Sequence, residues 1–336
     1  MELFSLPPEV LREIIDCVGP SFFREDLGRF TVCKQWFQFA CLTSFKSITL
    51  SSETLRALVS SGTPESQSLI ESALKTLSLE LTGHPSSTST SPSSEDVRPN
   101  TTGGDDLTED LHWLAALIER SSRLRELRIE ARRSLEPQPS SGIPEGYLSI
   151  HTMQALLCAD NISTLVIDLS AGTLENSSNE QSGINHLCPL ISAFLPTLRT
   201  LHVRMPRVCS ELLKCPATEK VPRLTTVVVN LSLNIIQPGI TSASHSKSCY
   251  SSGGSLLQLK EDITTQAETL ATQVKSIKIL RVLTHSLPTF KIESLDVLTG
   301  KTMRLKDGMA WDDDGTVIEE SEPESEFSSD DDFSAF

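Results

Sequence analysis

The chain has 336 residues, of which 38% are hydrophobic, so it can hold one large domain or two to three ordinary ones with part of the chain left unpacked. Its formal net charge is −15, but residues 311–336 alone contain eleven Asp or Glu and no Lys or Arg, and −15 minus −11 leaves only −4 for residues 1–310. A nearly neutral body without a basic stripe argues against nucleic-acid binding, and no run approaches the roughly 18 apolar residues of a membrane span.

Three short helices are predicted before residue 50. Pro7 and Pro8 suit the first turn of a helix, where no backbone N–H is needed, and Gly19 marks its end. Apolar residues recur in this helix at helical spacing, at Val10, Leu11, Ile14, Ile15 and Val18. A second helix is predicted over Glu25–Phe30, and a third begins near Thr31. The third carries a similar stripe at Val32, Cys33, Trp36, Phe37, Ala40 and Cys41. So small a unit has too little core to be stable alone, so the rest of the chain or a partner is expected to cover it.

The order of residues in this unit resembles the F-box. The matching residues are Leu6-Pro7 followed by Glu9-Val10-Leu11 and Ile14, then Asp26-Leu27, then Val32-Cys33-Lys34 and Trp36. The resemblance covers roughly residues 4–50 and defines a domain over 1–50, although the link from Gly19 to Phe23 carries two aromatic residues where a polar linker is expected. F-box proteins dock through this motif onto a Skp-family adaptor that is bound to a cullin scaffold. The resemblance therefore implies that the remainder of the chain holds a protein substrate for ubiquitination. An ordinary three-helix N-terminal cap is the structural alternative.

The resemblance also assigns residues to the adaptor-binding face or to its support. By their position in the motif these residues are Leu6, Pro7, Val10, Leu11, Ile14, Leu27, Val32 and Trp36. The sequence does not separate the side chains that touch the adaptor from those that pack inside the unit, so both roles stay open for each of the eight.

A six-residue pattern, apolar-x-x-apolar-x-apolar, recurs along the rest of the chain. Its eight copies begin at Phe45, Leu74, Leu124, Ile162, Leu198, Leu224, Ile277 and Ile292. The last three positions of each copy alternate as a strand with one buried face does. Amphipathic helical stretches lie between many of them, at 53–60, 65–74, 108–120, 150–158, 185–195 and 256–275. Strand and helix in repeated alternation predict an α/β fold for residues 51–310, a leucine-rich-repeat-like solenoid with a mostly parallel sheet.

The repeat is irregular. The copies begin 29, 50, 38, 36, 26, 53 and 15 residues apart, whereas regular leucine-rich repeats run about 20–29 residues. The Asn expected after each strand is also absent, so an ordinary α/β domain remains an alternative. The last interval is too short for a helix, which predicts that residues 291–297 close the sheet as a hairpin or cap.

The excess length falls into polar inserts and an acidic tail. The inserts lack periodicity and are predicted to be loops or disordered near 83–106, 133–147, 171–184 and 237–255. Residues 311–336 are predicted to be a disordered acidic tail. If the repeats stack, the inserts emerge at one edge, where they either form a binding rim or have no function.

Motifs of common enzymes are missing. The sequence has no Gly-x-Ser-x-Gly elbow, Gly-x-Gly-x-x-Gly loop or His-Glu-x-x-His. Gly300-Lys301-Thr302 is similar to the end of a phosphate loop, but Leu295 stands where that loop needs a glycine. A hairpin turn at Thr299-Gly300 is predicted instead.

The eight cysteines are scattered and form no Cys-x-x-Cys pair, so no zinc framework is expected. His186 and Cys188 are close in sequence, but no further ligand at metal spacing joins them, and a packed loop or helix is expected there. The first residues lack a basic segment followed by a long apolar run, so no signal peptide is expected. These features predict reduced thiols, no metal, no cofactor and a cytoplasmic or nuclear protein.

The first interpretation is a non-catalytic substrate-recognition subunit of a Skp–cullin–F-box type ubiquitin ligase. Its partners would be a Skp-family adaptor, through it a cullin, and an unknown protein substrate, with neither nucleic acid nor membrane involved. The alternative is a non-catalytic interaction scaffold that does not lead to ubiquitination. A third interpretation, a hydrolase or transferase hidden in the body, requires a polar pocket with catalytic side chains.

Overall fold

The computed structural model describes residues 6–83, 102–133, 148–170, 174–175, 186–216, 222–233, 244–250, 255–286 and 291–318. The predicted inserts lie mostly outside these ranges, as do residues 319–336 of the predicted tail. Some parts of the inserts fall inside them and are not loops as predicted: residues 83 and 133 end strands, 102–106 start a helix, and 174–175 and 244–248 contain short strands.

The six described α-helices after residue 50 agree with the predicted amphipathic stretches. In chain order the helices are α1 (Pro8–Val18), α2 (Pro20–Glu25), a first 3-10 helix (Leu27–Phe30), α3 (Lys34–Ser44), α4 (Ser52–Ser61), α5 (Pro64–Ala73), α6 (Thr102–Arg120), α7 (Ile150–Leu156), α8 (Cys188–Ala193), a second 3-10 helix (Ser210–Leu213) and α9 (Leu256–Gln273). Within the described ranges, none of them has the length and apolar character needed to cross a membrane.

Eight of the described strands fall on copies of the repeated pattern, and the other eight lie outside it. In chain order the strands are β1 (Ser47–Ser51), β2 (Thr76–Gly83), β3 (Glu126–Arg133), β4 (Leu148–Ser149), β5 (Thr164–Asp168), β6 (Leu174–Glu175), β7 (Thr200–Arg204), β8 (Arg207–Val208), β9 (Thr226–Asn230), β10 (Ser232–Leu233), β11 (Ser244–His245), β12 (Lys247–Ser248), β13 (Ile279–His285), β14 (Ile292–Asp296), β15 (Thr302–Arg304) and β16 (Thr316–Val317).

The N-terminal helices differ from the prediction in the link after α1. Gly19 has a backbone φ of 83°, in the left-handed region that glycine adopts without strain, so the chain turns there. Pro20 then starts α2, which occupies the stretch predicted to be a linker. The predicted second helix over Glu25–Phe30 is the shorter first 3-10 helix. The N-terminal helical unit, residues 6–44, thus contains four helical segments.

One ten-stranded sheet holds most strands of the described body, in the order β1-β2-β3-β5-β7-β9-β13-β14-β15-β16. The first seven of these strands pair in parallel, and the last three pair antiparallel. Connections that contain helices link the parallel strands, as parallel pairing requires. The sheet is open, with β1 and β16 at its edges. A mixed α/β fold with a large, mostly parallel sheet is therefore confirmed.

Strand pairing aligns the apolar positions of the repeated pattern. One row runs across the sheet through Ile48, Leu77, Leu127, Leu165, Leu201, Val227 and Leu280. The row two residues later runs through Leu50, Leu79, Ile129, Ile167, Val203, Val229 and Val282. Both rows pack against the apolar stripes of the helices in the main core. Since a slip of one residue would turn a whole strand to the other face, this alternation specifies the register.

The last strands reverse direction, as predicted for residues 291–297. β14 pairs antiparallel with both β13 and β15. Gly300 has a φ of 71° in the turn before β15, and its N–H donates to the Asp296 carbonyl at 2.8 Å. The hairpin turn predicted at Thr299-Gly300 is confirmed.

The sheet extends past both predicted domain boundaries. β1 falls within the predicted domain 1–50, so the helical unit ends at Ser44 instead. At the other end, β16 lies within the predicted tail 311–336. The prediction of an unpacked tail is wrong for residues 311–318, because Trp311 packs on the sheet.

Candidate functional site

The N-terminal helical unit has a small core of its own. Its buried side chains are Leu11, Ile15, Phe23, Trp36 and Ala40. The Phe23 and Trp36 rings meet edge to face with centroids 6.0 Å apart, and the Trp36 indole N–H donates to the Arg29 carbonyl at 2.7 Å. Of the eight residues assigned to adaptor binding, Leu11 and Trp36 are therefore internal and support the surface from below.

The other assigned residues are at least partly exposed. Pro7 is exposed, and Leu6 and Ile14 are half-buried. Val18 and Phe22 are 40% and 37% exposed. Four further large apolar side chains have exposed fractions of 40% (Val10), 73% (Leu27), 52% (Val32) and 50% (Phe37). These four side chains are called the outer apolar set below. A soluble protein rarely leaves many large apolar side chains uncovered within one short segment, so this unit is a candidate interaction surface.

Phe37 is the member of the outer apolar set that the resemblance did not assign. It belongs to the predicted apolar stripe of the third helix, but it lies beside the core instead of within it. Its ring contacts the Phe30 ring at a centroid distance of 6.1 Å. Adjacent residues of a helix such as Trp36 and Phe37 cannot both face the same small core. Periodicity alone did not show which of the two is buried.

The helical unit is joined to the sheet by polar contacts. Asp16 accepts a hydrogen bond from the Thr43 hydroxyl at 2.6 Å and pairs with the Lys46 ammonium. The Arg24 guanidinium donates to the backbone carbonyls of Ser44, at 2.7 Å, and Ser47. Partial burial works to raise the pKa of Asp16, but the bonds from Lys46 and Thr43 outweigh it and hold that pKa below its ordinary value. This joint orients the unit relative to β1.

The sheet face opposite the main core, called the open face, is covered along only part of its width. A row of this face runs through Thr49, Ser78, Arg128, Val166, His202, Val228 and Arg281. Thr49 and Arg128 are exposed and Ser78 is half-buried, whereas Val166, Val228 and Arg281 are buried. The open face is thus accessible on β1–β3 and covered from β5 to β13.

Residues 306–318, called the C-terminal strap, contribute to this cover. The Trp311 ring lies over the Arg204 guanidinium at 4.7 Å and beside the His202 ring at 6.1 Å. The Arg281 guanidinium bonds to Asp314 Oδ1 at 2.5 Å and to the Asp313 carbonyl. Of the acidic side chains at 312–314, that of Asp314 has a cationic partner on the sheet, which the tail's composition alone did not indicate.

Beneath the strap lies a buried ion pair. Arg204 Nε and Nη2 donate to the two carboxylate oxygens of Asp168 at 2.7 and 2.5 Å, in a bidentate arrangement. Burial lowers the pKa of the neighbouring His202, so its imidazole is neutral at pH 7 and its 3.9 Å approach to Asp312 is not an ion pair there. The opposite charges of Asp168 and Arg204 cancel within the pair. We therefore assign this part of the open face a structural role.

A polar groove of about 740 Å³ opens where strands β5, β7 and β9 begin. Arg125, Arg199 and Arg223 line it together with Asp160 and Ser163. No histidine or cysteine is among the described residues of this lining, so it offers none of the common nucleophile–base pairs.

The prediction that no ligand joins His186 and Cys188 is wrong. The structure brings Cys209 and Cys249 to them, and one ligand atom from each of the four lies within 4.8 Å of the others. Cys188, Cys209 and Cys249 are buried and His186 is half-buried. The neighbouring Cys188 and Cys249 thiols lower the pKa of Cys209, whereas the contact with Cys209 raises that of Cys188. The contact between Cys188 and Cys209 thus shifts the pKa values of the two thiols in opposite directions.

The sequence matches no model of a protein family and has no significant match among curated proteins.

Proposed function

We propose that this chain is a non-catalytic substrate-recognition subunit of a Skp–cullin–F-box type ubiquitin ligase. The N-terminal helical unit docks onto a Skp-family adaptor, and the body holds a protein substrate. The proposal combines the F-box resemblance of residues 1–50 with one observation, the outer apolar set above a complete internal core.

The outer apolar set supports docking for an energetic reason. The core of the unit is closed without Val10, Leu27, Val32 and Phe37, so these side chains gain nothing from exposure. Burying one such side chain in an interface stabilises a complex by about 1.5–3 kcal/mol. Burial of two such side chains would increase the affinity of the complex roughly a hundredfold.

The body is proposed to be an irregular leucine-rich-repeat-like solenoid. Two apolar rows in constant register and a recurring backbone bond at the start of each strand support this. The N–H groups of Lys75, Arg125, Ser163, Arg199, Thr225 and Lys278 each donate to a carbonyl of the preceding repeat at 2.7–2.8 Å. Neighbour-to-neighbour contact of this kind is what defines a stacked repeat.

The substrate-binding surface is proposed to lie on the open face of β1–β3. Thr49, Glu80 and Arg128 are exposed there, and the strap covers the corresponding positions further along the sheet. Polar and charged side chains on a preformed sheet suit recognition of a folded or extended protein segment.

The docking proposal is tested by measuring the binding of a purified Skp-family adaptor to the full chain. We expect the wild-type protein to bind. The affinity of a Leu27→Asp/Val32→Asp variant should be at least about tenfold lower, because the substitutions place two carboxylates where apolar side chains would be buried in the interface. The matched control is Leu257→Asp, since Leu257 is 76% exposed but lies on α9, outside the unit. Absence of binding by folded wild-type protein would refute adaptor docking.

The same preparation separates the ligase subunit from the scaffold alternative. If the wild-type chain co-purifies cullin together with the adaptor, and the Leu27→Asp/Val32→Asp variant does not, the ligase interpretation is supported. Adaptor binding without cullin would instead favour an interaction scaffold.

A further inference from the structure

We propose that His186, Cys188, Cys209 and Cys249 bind one structural zinc ion. This proposal is independent of adaptor docking, because the four residues lie in the body and the outer apolar set lies in the N-terminal helical unit. It rests on the geometry of the cluster, on the chemistry of its side chains and on the strand pairing that builds it.

The distances fit a tetrahedral centre. The Cys188 and Cys249 sulfurs are 3.8 Å apart, and the Cys209 sulfur is 3.8 Å from His186 Nδ1. Zinc–sulfur bonds of about 2.3 Å at tetrahedral angles separate two sulfur ligands by about 3.8 Å. These two distances are close to those of a tetrahedral zinc site, and all four ligand atoms lie within 4.8 Å of one another.

The backbone around the cluster brings its members together. β8 and β12 pair in parallel, Arg207 with Lys247 and Val208 with Ser248, so that Cys209 and Cys249 follow at equivalent positions. The Lys247 N–H donates to the Pro206 carbonyl at 2.8 Å and extends this pairing. A two-residue strand pair is marginal by itself and gains from a cross-link directly at its end.

The remaining two ligands come from the start of α8. Cys188 is the first residue of that helix, and His186 precedes it by two positions. The Tyr250 ring lies edge-on to the His186 ring, with centroids 5.3 Å apart, and restricts the orientation of the imidazole. Tyr250 therefore acts as a positioning residue next to the ligand set.

The ligand chemistry selects zinc and a structural role. Three thiolates and one imidazole form a set that zinc binds in closed, four-coordinate structural sites. The three cysteines are buried, and all four positions are occupied by protein, so no open position is left for a substrate. Three thiols also cannot all pair as disulfides within the cluster, and the structure contains all of them as free cysteines.

The zinc ion would cross-link segments that are far apart in sequence. Cys188 and Cys209 are 21 residues apart, and Cys209 and Cys249 are 40 residues apart. Closing such loops through one ion makes metal binding part of the folding free energy, and the deprotonation of the cysteines makes it dependent on pH.

The first test measures metal in the full-length protein. Protein produced with added zinc and then desalted is expected to contain one zinc ion per chain, as measured by inductively coupled plasma mass spectrometry. Cobalt exchanged into the site is expected to show thiolate-to-metal charge transfer and intense tetrahedral visible bands. X-ray absorption of the zinc form is expected to give three sulfurs at about 2.3 Å and one nitrogen at about 2.0–2.1 Å.

Variants then locate the metal. Cys209→Ser and Cys249→Ser are each expected to lose the zinc, whereas His186→Cys keeps it with a four-thiolate cobalt spectrum. The matched control is Cys215→Ser: Cys215 is half-buried six residues from Cys209, with its sulfur 3.8 Å from the Pro216 carbonyl and outside the cluster. It should retain one zinc per chain.

Alkylation of the wild-type protein tests whether the three cysteines bind zinc even if the variants do not fold. Zinc is expected to protect Cys188, Cys209 and Cys249 from a maleimide until a chelator is added, while the exposed Cys17 and Cys158 react at once. The proposal is overturned if folded wild-type protein takes up neither zinc nor cobalt, if it contains iron instead, or if folded Cys209→Ser and Cys249→Ser proteins keep their zinc.

Discussion

Replacing Asp168 by alanine would leave the Arg204 guanidinium buried under the strap without its carboxylate. Both side chains are nearly inaccessible, with 8% of Arg204 and 11% of Asp168 exposed. The substitution would remove the hydrogen bonds of 2.7 and 2.5 Å from Arg204 and the 3.2 Å bond from the Ser170 N–H. Removing one partner of such a pair costs about 3–5 kcal/mol, since the remaining charge stays desolvated. We therefore expect the free energy of unfolding, measured by urea titration followed by circular dichroism, to fall by about that amount.

Two further variants make this reasoning refutable. Arg128→Ala breaks the 2.6 Å contact to Glu126 on the accessible part of the sheet, and it should cost no more than about 1 kcal/mol. Replacing the buried pair by Asp168→Leu together with Arg204→Met should recover most of the loss, because no unpaired charge then remains. An Asp168→Ala protein within about 1 kcal/mol of wild type, or a double variant that is no more stable than the single one, would contradict the argument.

Three further predictions concern the N-terminal helical unit. Trp36→Ala should destabilise it by about 3–5 kcal/mol and Phe37→Ala by less than about 1 kcal/mol, as judged by limited proteolysis of the unit, and the opposite ranking would refute the assignment of core and surface. The folded pKa of Asp16 is lowered, so its contribution is complete above its unfolded pKa of about 3.9 and is lost as the pH falls through the folded pKa. Thermal unfolding of Asp16→Asn should therefore depend less on pH below about 4 than that of wild type, and parallel curves would contradict this. Gly19→Ala should cost about 1–2 kcal/mol because φ is 83°, and an unchanged unfolding midpoint would show that the turn relaxes.

Local alternation was sufficient to predict eight of the ten strands of the sheet. Each copy of the six-residue pattern contains the two apolar residues that face the helices, so a strand and its buried face can be read from six positions. The register also follows, because alignment of Ile48 with Leu77, and of Leu50 with Leu79, is the pairing that buries both rows. The irregular spacing of the copies did not affect this prediction, since the additional residues lie in the connections between strands and leave the strands themselves unchanged.

The Cys–His cluster could not be predicted by the same means. Searches for metal motifs rely on ligands that are neighbours in sequence, whereas Cys209 and Cys249 meet only through the pairing of β8 with β12. Both strands have two residues, too short to produce an alternating pattern. The C-terminal strap escaped prediction for a different reason: its acidic composition is typical of disorder, and the contacts that order it depend on Arg204 and Arg281 at distant positions.

The strap and the helical unit together divide the open face into two regions. Arg24 and Lys46 tie the helical unit to the β1 edge, whereas Trp311 lies over β7. Under the proposed function, the accessible part of the face on β1–β3 is therefore next to the adaptor-docking unit, and the covered part is remote from it. A substrate bound on β1–β3 would be held close to the adaptor. Substitutions at exposed Arg128 should then change substrate binding with little effect on stability, whereas substitutions at buried Arg204 should change stability first.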